Sequence, residues 1–200
     1  MELVNEVAAK GSKGVELPAE LLVQIFLHCL PTDGFPEPSI QAAPILLGRV
    51  CTVWRSVTLN TPQLWAQISL SSSLAPPEEL YEHGIREWVR RSGNRPLSFE
   101  FAEHRNPHRW APIFMRTLQP EAHRWKAVRI RTACHCIDGI VDLLCSPGKT
   151  PMLTDLRVLD PVFRKNTPIA CAPQLSTIHL VSMDTTIVGK GRLDALLSIT

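Results

Sequence analysis

Between Leu21 and Leu30 the chain reads LLVQIFLHCL, and only Gln24 and His28 interrupt the apolar run. Pro18 presets φ for a first helical position, and Glu20 puts negative charge at the positive end of the helix dipole. The stretch is therefore predicted to be a helix. Gln24 and His28 stand four apart and share one face, which leaves every other side apolar. An ordinary surface helix needs one cover; this one needs more. The residues up to Leu70 can furnish one cover, but a unit that small has too little interior to furnish two. The second cover then comes from another domain or another protein.

The helix gives way to a loop and then to a second helical stretch. Pro31 to Ala43 contains Pro31, Pro36, Pro38 and an Asp33-Gly34 turn signal, and it is expected to bulge away from the helices. Leu46, Leu47, Val50, Cys51, Trp54 and Val57 recur at helical steps after Pro44. Gly48 weakens that helix, so one long helix and two short ones both fit. Asn60-Thr61-Pro62 ends it, Trp65 is expected beneath the bundle, and Gln67–Leu70 is a short extended segment.

Leu17-Pro18 with Glu20-Leu21-Leu22, Ile25-Phe26, Val50-Cys51, Trp54-Arg55, and Pro62 with Leu64-Trp65 resembles the F-box in several separated elements in order. The resemblance covers about a quarter of the chain. It implies a three-helix unit over residues 17–70 that docks on the Skp-type adaptor of cullin-based ubiquitin ligases. Leu17, Pro18, Leu21, Leu22, Ile25, Phe26, Val50, Cys51 and Trp54 would be the adaptor-contacting residues, with Trp54 also packing in the core. Residues 1–16 lack periodicity and read as a mobile tail.

Ser71-Ser72-Ser73 and Pro76-Pro77 mark a linker, 71–77, to a second unit over 78–200. Tyr81, Ile85, Trp88 and Val89 form a helical stripe that stops at Gly93. Alternating runs then place Phe99/Phe101, Val128/Ile130, Leu156/Val158 and Ile178/Leu180 inward, separated by helical stripes at Trp110–Leu118 and Ile137–Leu144. The pairs step by 29, 28 and 22 residues, and Trp125, Leu153 and Leu175 stand three residues before the last three. These steps fit a leucine-rich repeat without that family's inward Asn. The expected fold class is thus α+β: a small helical module followed by an α/β leucine-rich-repeat-like solenoid, with another α/β sheet domain as the alternative.

Composition narrows the function. The net charge of the 200 residues is +2, with four basic against six acidic residues up to Leu70 and seventeen against thirteen beyond it. That asymmetry falls short of a nucleic-acid footprint, and around the basic cluster Arg124, Lys126, Arg129 and Arg131 no aromatic residue is interleaved on the exposed strand positions to stack bases. Charged residues break the N-terminal apolar pattern, so no secretory signal is read. No uncharged run approaches the ~20 apolar residues that span a bilayer. A cytoplasmic or nuclear location with reduced thiols is expected, with Cys29 and Cys51 buried in helical patterns. Ser146-Pro147-Gly148-Lys149-Thr150 lacks the first glycine of a phosphate loop, Leu143 standing there. Cys134-His135-Cys136 has the wrong spacing for structural zinc. No metal, cofactor, membrane partner or catalytic motif is expected.

The implied role is a non-catalytic substrate receptor that joins a Skp-type adaptor to a target protein. The alternative is an interaction scaffold whose helical module only completes an intramolecular core. If the strands form one parallel sheet, Glu100, Arg129, Arg157 and His179, flanked by Arg131, line its open face. Those side chains suit an acidic or phosphorylated peptide. Leu193, Leu196 and Leu197 begin a helical stripe with no cap after it. The chain is accordingly expected to be the N-terminal part of a longer receptor, unless that helix folds back over the last strand.

Overall fold

The fold is a computed structural model that describes residues 17–71, 78–102, 107–131, 143, 146, 148–159, 173–181 and 186–190. The expected tail at 1–16, the linker residues 72–77, the stripe at Ile137–Leu144 apart from Leu143, the Cys134–Cys136 group and the C-terminal stripe Leu193–Leu197 lie outside them.

Helix α1 spans Ala19–His28 with Pro18 extended as its N-cap. It sends Leu22 and Phe26 into the core and leaves Leu17, Leu21 and Ile25 exposed. The second apolar stretch is broken into a 3-10 turn at Leu47–Arg49 and helix α2, Thr52–Leu59. Cys51 makes the break: it is extended, and its Sγ accepts the N–H of Trp54 at 3.5 Å as an N-cap. Cys29 and Cys51 are both exposed, contrary to the expectation of burial. Cys29 sits just past the end of α1 and Cys51 just before the start of α2, so neither lies within the buried stripe of a helix. A further 3-10 turn, Pro62–Trp65, buries Leu64 and Trp65.

Strand β1, Gln67–Ser71, leads into helix α3, Glu78–Arg91, and strand β2, Leu97–Ala102. Helix α4, Pro107–Leu118, runs into a 3-10 segment at Gln119–Arg124 and strand β3, Trp125–Arg131. Strands β4, Asp155–Leu159, β5, Thr177–Val181, and β6, Thr186–Lys190, complete one sheet in sequence order. β1 to β5 are parallel, and β6 is antiparallel to β5. The molecule is thus mixed helix and sheet, as expected for α+β.

The register puts like with like. Ile68, Phe99, Val128, Leu156 and Ile178 form one row across the sheet, and Leu70, Phe101, Ile130 and Val158 form the next. All are buried. Phe114 of α4 packs on this face, with ring centroids 5.1 Å from Phe99 and 4.7 Å from Phe101. Trp88 of α3 donates its Nε1–H to the Gln67 carbonyl at 3.0 Å. Ahead of the strands runs a hydrogen-bonded rung that the sequence pattern did not disclose. Thr154 donates both its N–H (2.8 Å) and its hydroxyl (3.1 Å) to the Lys126 carbonyl. Ser176 does the same to Thr154, at 3.0 and 3.1 Å.

Two larger features also differ from the sequence expectation. First, a single apolar cluster runs from Leu22 and Phe26 of α1 to Ile178 of β5, and β1 belongs to the sheet, so a boundary after Leu70 cuts a strand. Second, the loop from Pro31 to Ala43 does not bulge outward. Its Pro36 carbonyl accepts the Ser69 N–H at 2.8 Å, and its Phe35 ring lies 4.4 Å from the Arg129 guanidinium carbon. Every residue of β2, including Ser98 and Glu100, is also buried, where one-sided alternation predicts solvent.

Arg124, read as part of a surface basic cluster, is also inside, 3% exposed. Its guanidinium donates to Glu121 at 2.6 Å, Ser92 Oγ at 2.9 Å and the Arg95 carbonyl at 2.8 Å, and so closes the C-terminal end of α3. Replacing Arg124 by Ala leaves those acceptors without their donor and should cost about 3 kcal/mol, seen as a lower urea midpoint. An unchanged midpoint would contradict this role. On α3 itself, the hydrogen bond from Arg90, then the charge of Arg91, hold the Glu87 carboxyl at about 2, below the ordinary 4.5, despite partial burial. A depressed folded pKa stabilises above pH 4.5, and that stabilisation is lost as pH falls toward 2. Glu87→Gln should remove this part of the acid sensitivity, an effect under about 1 kcal/mol because the pair is largely solvated. Identical acid unfolding curves for the two proteins would show that the pair contributes nothing.

Candidate protein-interaction surfaces

The first surface lies on α1 and α2, which pack through Phe26 and Trp54 at a centroid distance of 4.8 Å. Placing a side chain every 100° or so around α1 puts Leu17, Leu21, Gln24, Ile25 and His28 within one arc. Leu22 and Phe26 fall on the opposite arc. Leu21 and Ile25 are 51% and 43% exposed, while Leu22 and Phe26 are 4% and 0%. Of the nine residues assigned to adaptor contact, Leu17, Pro18, Leu21, Ile25, Val50 and Cys51 are exposed and Trp54 is half-buried. Leu22 and Phe26 are corrected: they belong to the protein's own core and offer nothing to a partner. Val53, 59% exposed beside Trp54, was missed. The signal was available, since Val53 lies off the stripe through Val50, Trp54 and Val57.

The second surface is the polar face of the sheet. Residues between the inward pairs align strand by strand as Ser69, Glu100, Arg129, Arg157 and His179, and the next row carries Ala102 and Arg131. The five residues assigned to target binding are therefore brought together. Their accessibility differs. Glu100 is buried and accepts a hydrogen bond from Arg131 at 3.2 Å, so it is an internal counter-charge and not a contact for a ligand. Arg157 is exposed and holds Asp155 through two N–H groups, each at 3.2 Å. Arg129 is half-buried beneath Phe35, which sequence reading placed in an outward loop. His179 is half-buried on the far side of Arg157.

Among the described residues no group of three or more His, Cys, Asp or Glu side chains could hold a metal ion. No described helix is long and apolar enough to cross a membrane. An open cavity between Glu37–Ser39, the β1 edge and α3 is walled by Trp65, Tyr81, Trp88 and the ion-paired Glu87 and Arg91. Its lining is chiefly aromatic and aliphatic. Comparison with protein-family models, with curated proteins and with solved structures finds no match to this chain.

Proposed function

We propose that this protein is a non-catalytic substrate receptor: an F-box-like helical module holds a Skp-type adaptor of a cullin ubiquitin ligase, and the sheet behind it holds a target protein. The observation that carries the reading is the division of labour along α1. Leu22 and Phe26 complete the internal core, while Leu17, Leu21 and Ile25, with Val50 and Val53 nearby on and before α2, are left uncovered. Apolar side chains at helical spacing without an internal partner fit a partner's groove. The F-box resemblance in Leu17-Pro18, Ile25-Phe26, Val50-Cys51, Trp54-Arg55 and Leu64-Trp65 supplies the kind of partner.

A leucine-rich-repeat-like solenoid is the matching reading of the sheet. Supporting it are the sequential order of parallel strands, helices α3 and α4 on one face, and the Thr154 and Ser176 rungs at equivalent places. In the competing role, a scaffold outside any ligase, the module would serve only its own core. The single apolar cluster shared by α1 and the sheet favours that role. It does not account for the uncovered face of α1.

The two roles part in one experiment. Burying one Leu or Ile is worth roughly 1.5–3 kcal/mol, so Leu21→Ala with Ile25→Ala should weaken binding of a purified Skp-type adaptor by at least about a hundredfold. Both positions are exposed, so the melting temperature should barely move. Phe26→Ala, in contrast, should cost about 3–5 kcal/mol of stability. Full adaptor affinity in the folded double variant, or no adaptor binding by the wild type, would leave the scaffold role standing.

A further inference from the structure

The polar face of the sheet carries three arginines against two carboxylates, and the pairing leaves one arginine over. Arg131 donates to Glu100 and Arg157 to Asp155, each at 3.2 Å. Arg129 stands between Glu100 and Arg157 in register, yet none of its N–H groups makes a hydrogen bond or ion pair with the described residues. Its Nε is shut away from solvent, while the side chain as a whole keeps partial exposure. A buried charged donor without an acceptor is unfavourable by more than a neutral one, and native proteins seldom leave one in place.

The Phe35 ring lies over the guanidinium, with its centroid 4.4 Å from Cζ. A ring at that distance attracts the cation, but it supplies no oxygen acceptor for the N–H donors. The donors left for a ligand, those on the two Nη atoms, lie in the guanidinium plane, where a carboxylate or phosphate accepts two at once. Phe35 is itself held in place, because the next residue, Pro36, is buried and hydrogen-bonded to β1. Arg129 is thus restrained, desolvated on one edge and short of an anion.

We propose that Arg129, roofed by Phe35, is the anchor for a single oxyanion-bearing side chain, carboxylate or phosphate, of a peptide laid across the polar face of β3 to β5. This rests on the substrate-receptor reading and names the chemistry of its target. The other two arginines of this face, Arg131 and Arg157, play a lesser part, since each already has its carboxylate. Phe35 is a positioning residue: it orients the guanidinium and belongs to the loop that follows α1.

The test uses the full chain and three pools of degenerate decapeptides, alike except for a central phosphoserine, glutamate or glutamine. The phosphoserine pool, the glutamate pool or both should bind at least about tenfold more tightly than the glutamine pool, as expected for charge-assisted hydrogen bonds. Which of the two does so identifies the source of the oxyanion. Arg129→Gln should erase the discrimination; Arg129→Lys, which keeps the charge without the fork, should retain only part of it. Arg157→Gln should leave most of it, and Phe35→Leu should reduce it while the melting temperature holds. Equal binding of all three pools, or undiminished discrimination in Arg129→Gln, would overturn the anchor. Adaptor binding measured on the same preparations keeps the two ideas apart. Intact adaptor binding with no discrimination rejects the anchor alone, whereas discrimination without adaptor binding rejects only the ligase role.

Discussion

Trp65 is the side chain on which both halves of the molecule close. Its Nε1–H donates to the Thr58 carbonyl at the end of α2 at 2.9 Å. Its ring meets Trp88 of α3 edge-on at 4.9 Å, and the Arg91 guanidinium covers it at 4.6 Å. Losing so large a buried ring would cost about 3–5 kcal/mol, a sizeable share of the stability of a domain this size. Trp65 also stands three residues before the inward pair Ile68/Leu70 of β1. Trp125, Leu153 and Leu175 hold the same place before the inward pairs of β3, β4 and β5. Trp125 repeats the hydrogen bond as well, donating to the Leu118 carbonyl seven residues upstream at 3.1 Å, as Trp65 does to Thr58. The last turn of the helical half therefore stands to the inward pair of β1 as Trp125 stands to that of β3.

That overlap explains which features could be read from the residues alone. Alternation and spacing are local, so the inward pairs from Phe99/Phe101 to Ile178/Leu180 were legible, and with them the register that aligns Glu100, Arg129, Arg157 and His179. Helix α1 was legible for the same reason. Which of its apolar sides faces inward was not. Leu21 and Leu22 are identical side chains and Ile25 and Phe26 are both apolar, and Leu22 and Phe26 go in where Phe26 meets Trp54. Trp65-x-x-Ile68-x-Leu70 has the same spacing in the sequence, but the resemblance to the F-box claims Trp65 for the helical module.

The remaining misreadings share one cause: a long-range contact overrode a local preference. Arg124 reads as a surface charge, but the turn that follows α3 presents it with Ser92 and the Arg95 carbonyl. Ser98 and Glu100 looked solvent-facing because alternation assumes an open second face. The loop from Pro31 to Ala43 looked like an outward excursion because its prolines and turn signal describe irregular backbone, which is true of a strap as much as of a bulge. Proline lacks a donor, but its carbonyl still accepts, and Pro36 uses that carbonyl to bind Ser69 of β1.

The strap has a mechanical consequence. β1 is the sheet's first edge, and an unpaired edge invites pairing with other chains. Here two of its outward groups are taken, the Gln67 carbonyl by Trp88 and the Ser69 N–H by Pro36. The same loop leaves the C-terminal end of α1 and reaches Arg129 on the polar face. The proposed adaptor surface and the proposed target surface are thus joined by a folded strap and one core in addition to the covalent chain. A flexible linker would let a target sample a wide volume and dilute it near anything held by the adaptor. Two surfaces on one packed body hold their separation fixed, which raises the effective concentration of one bound partner at the other by limiting where it can be. For a bridging receptor that restriction is the physical gain from sharing a core, and Trp65 and Pro36 are where the sharing is made.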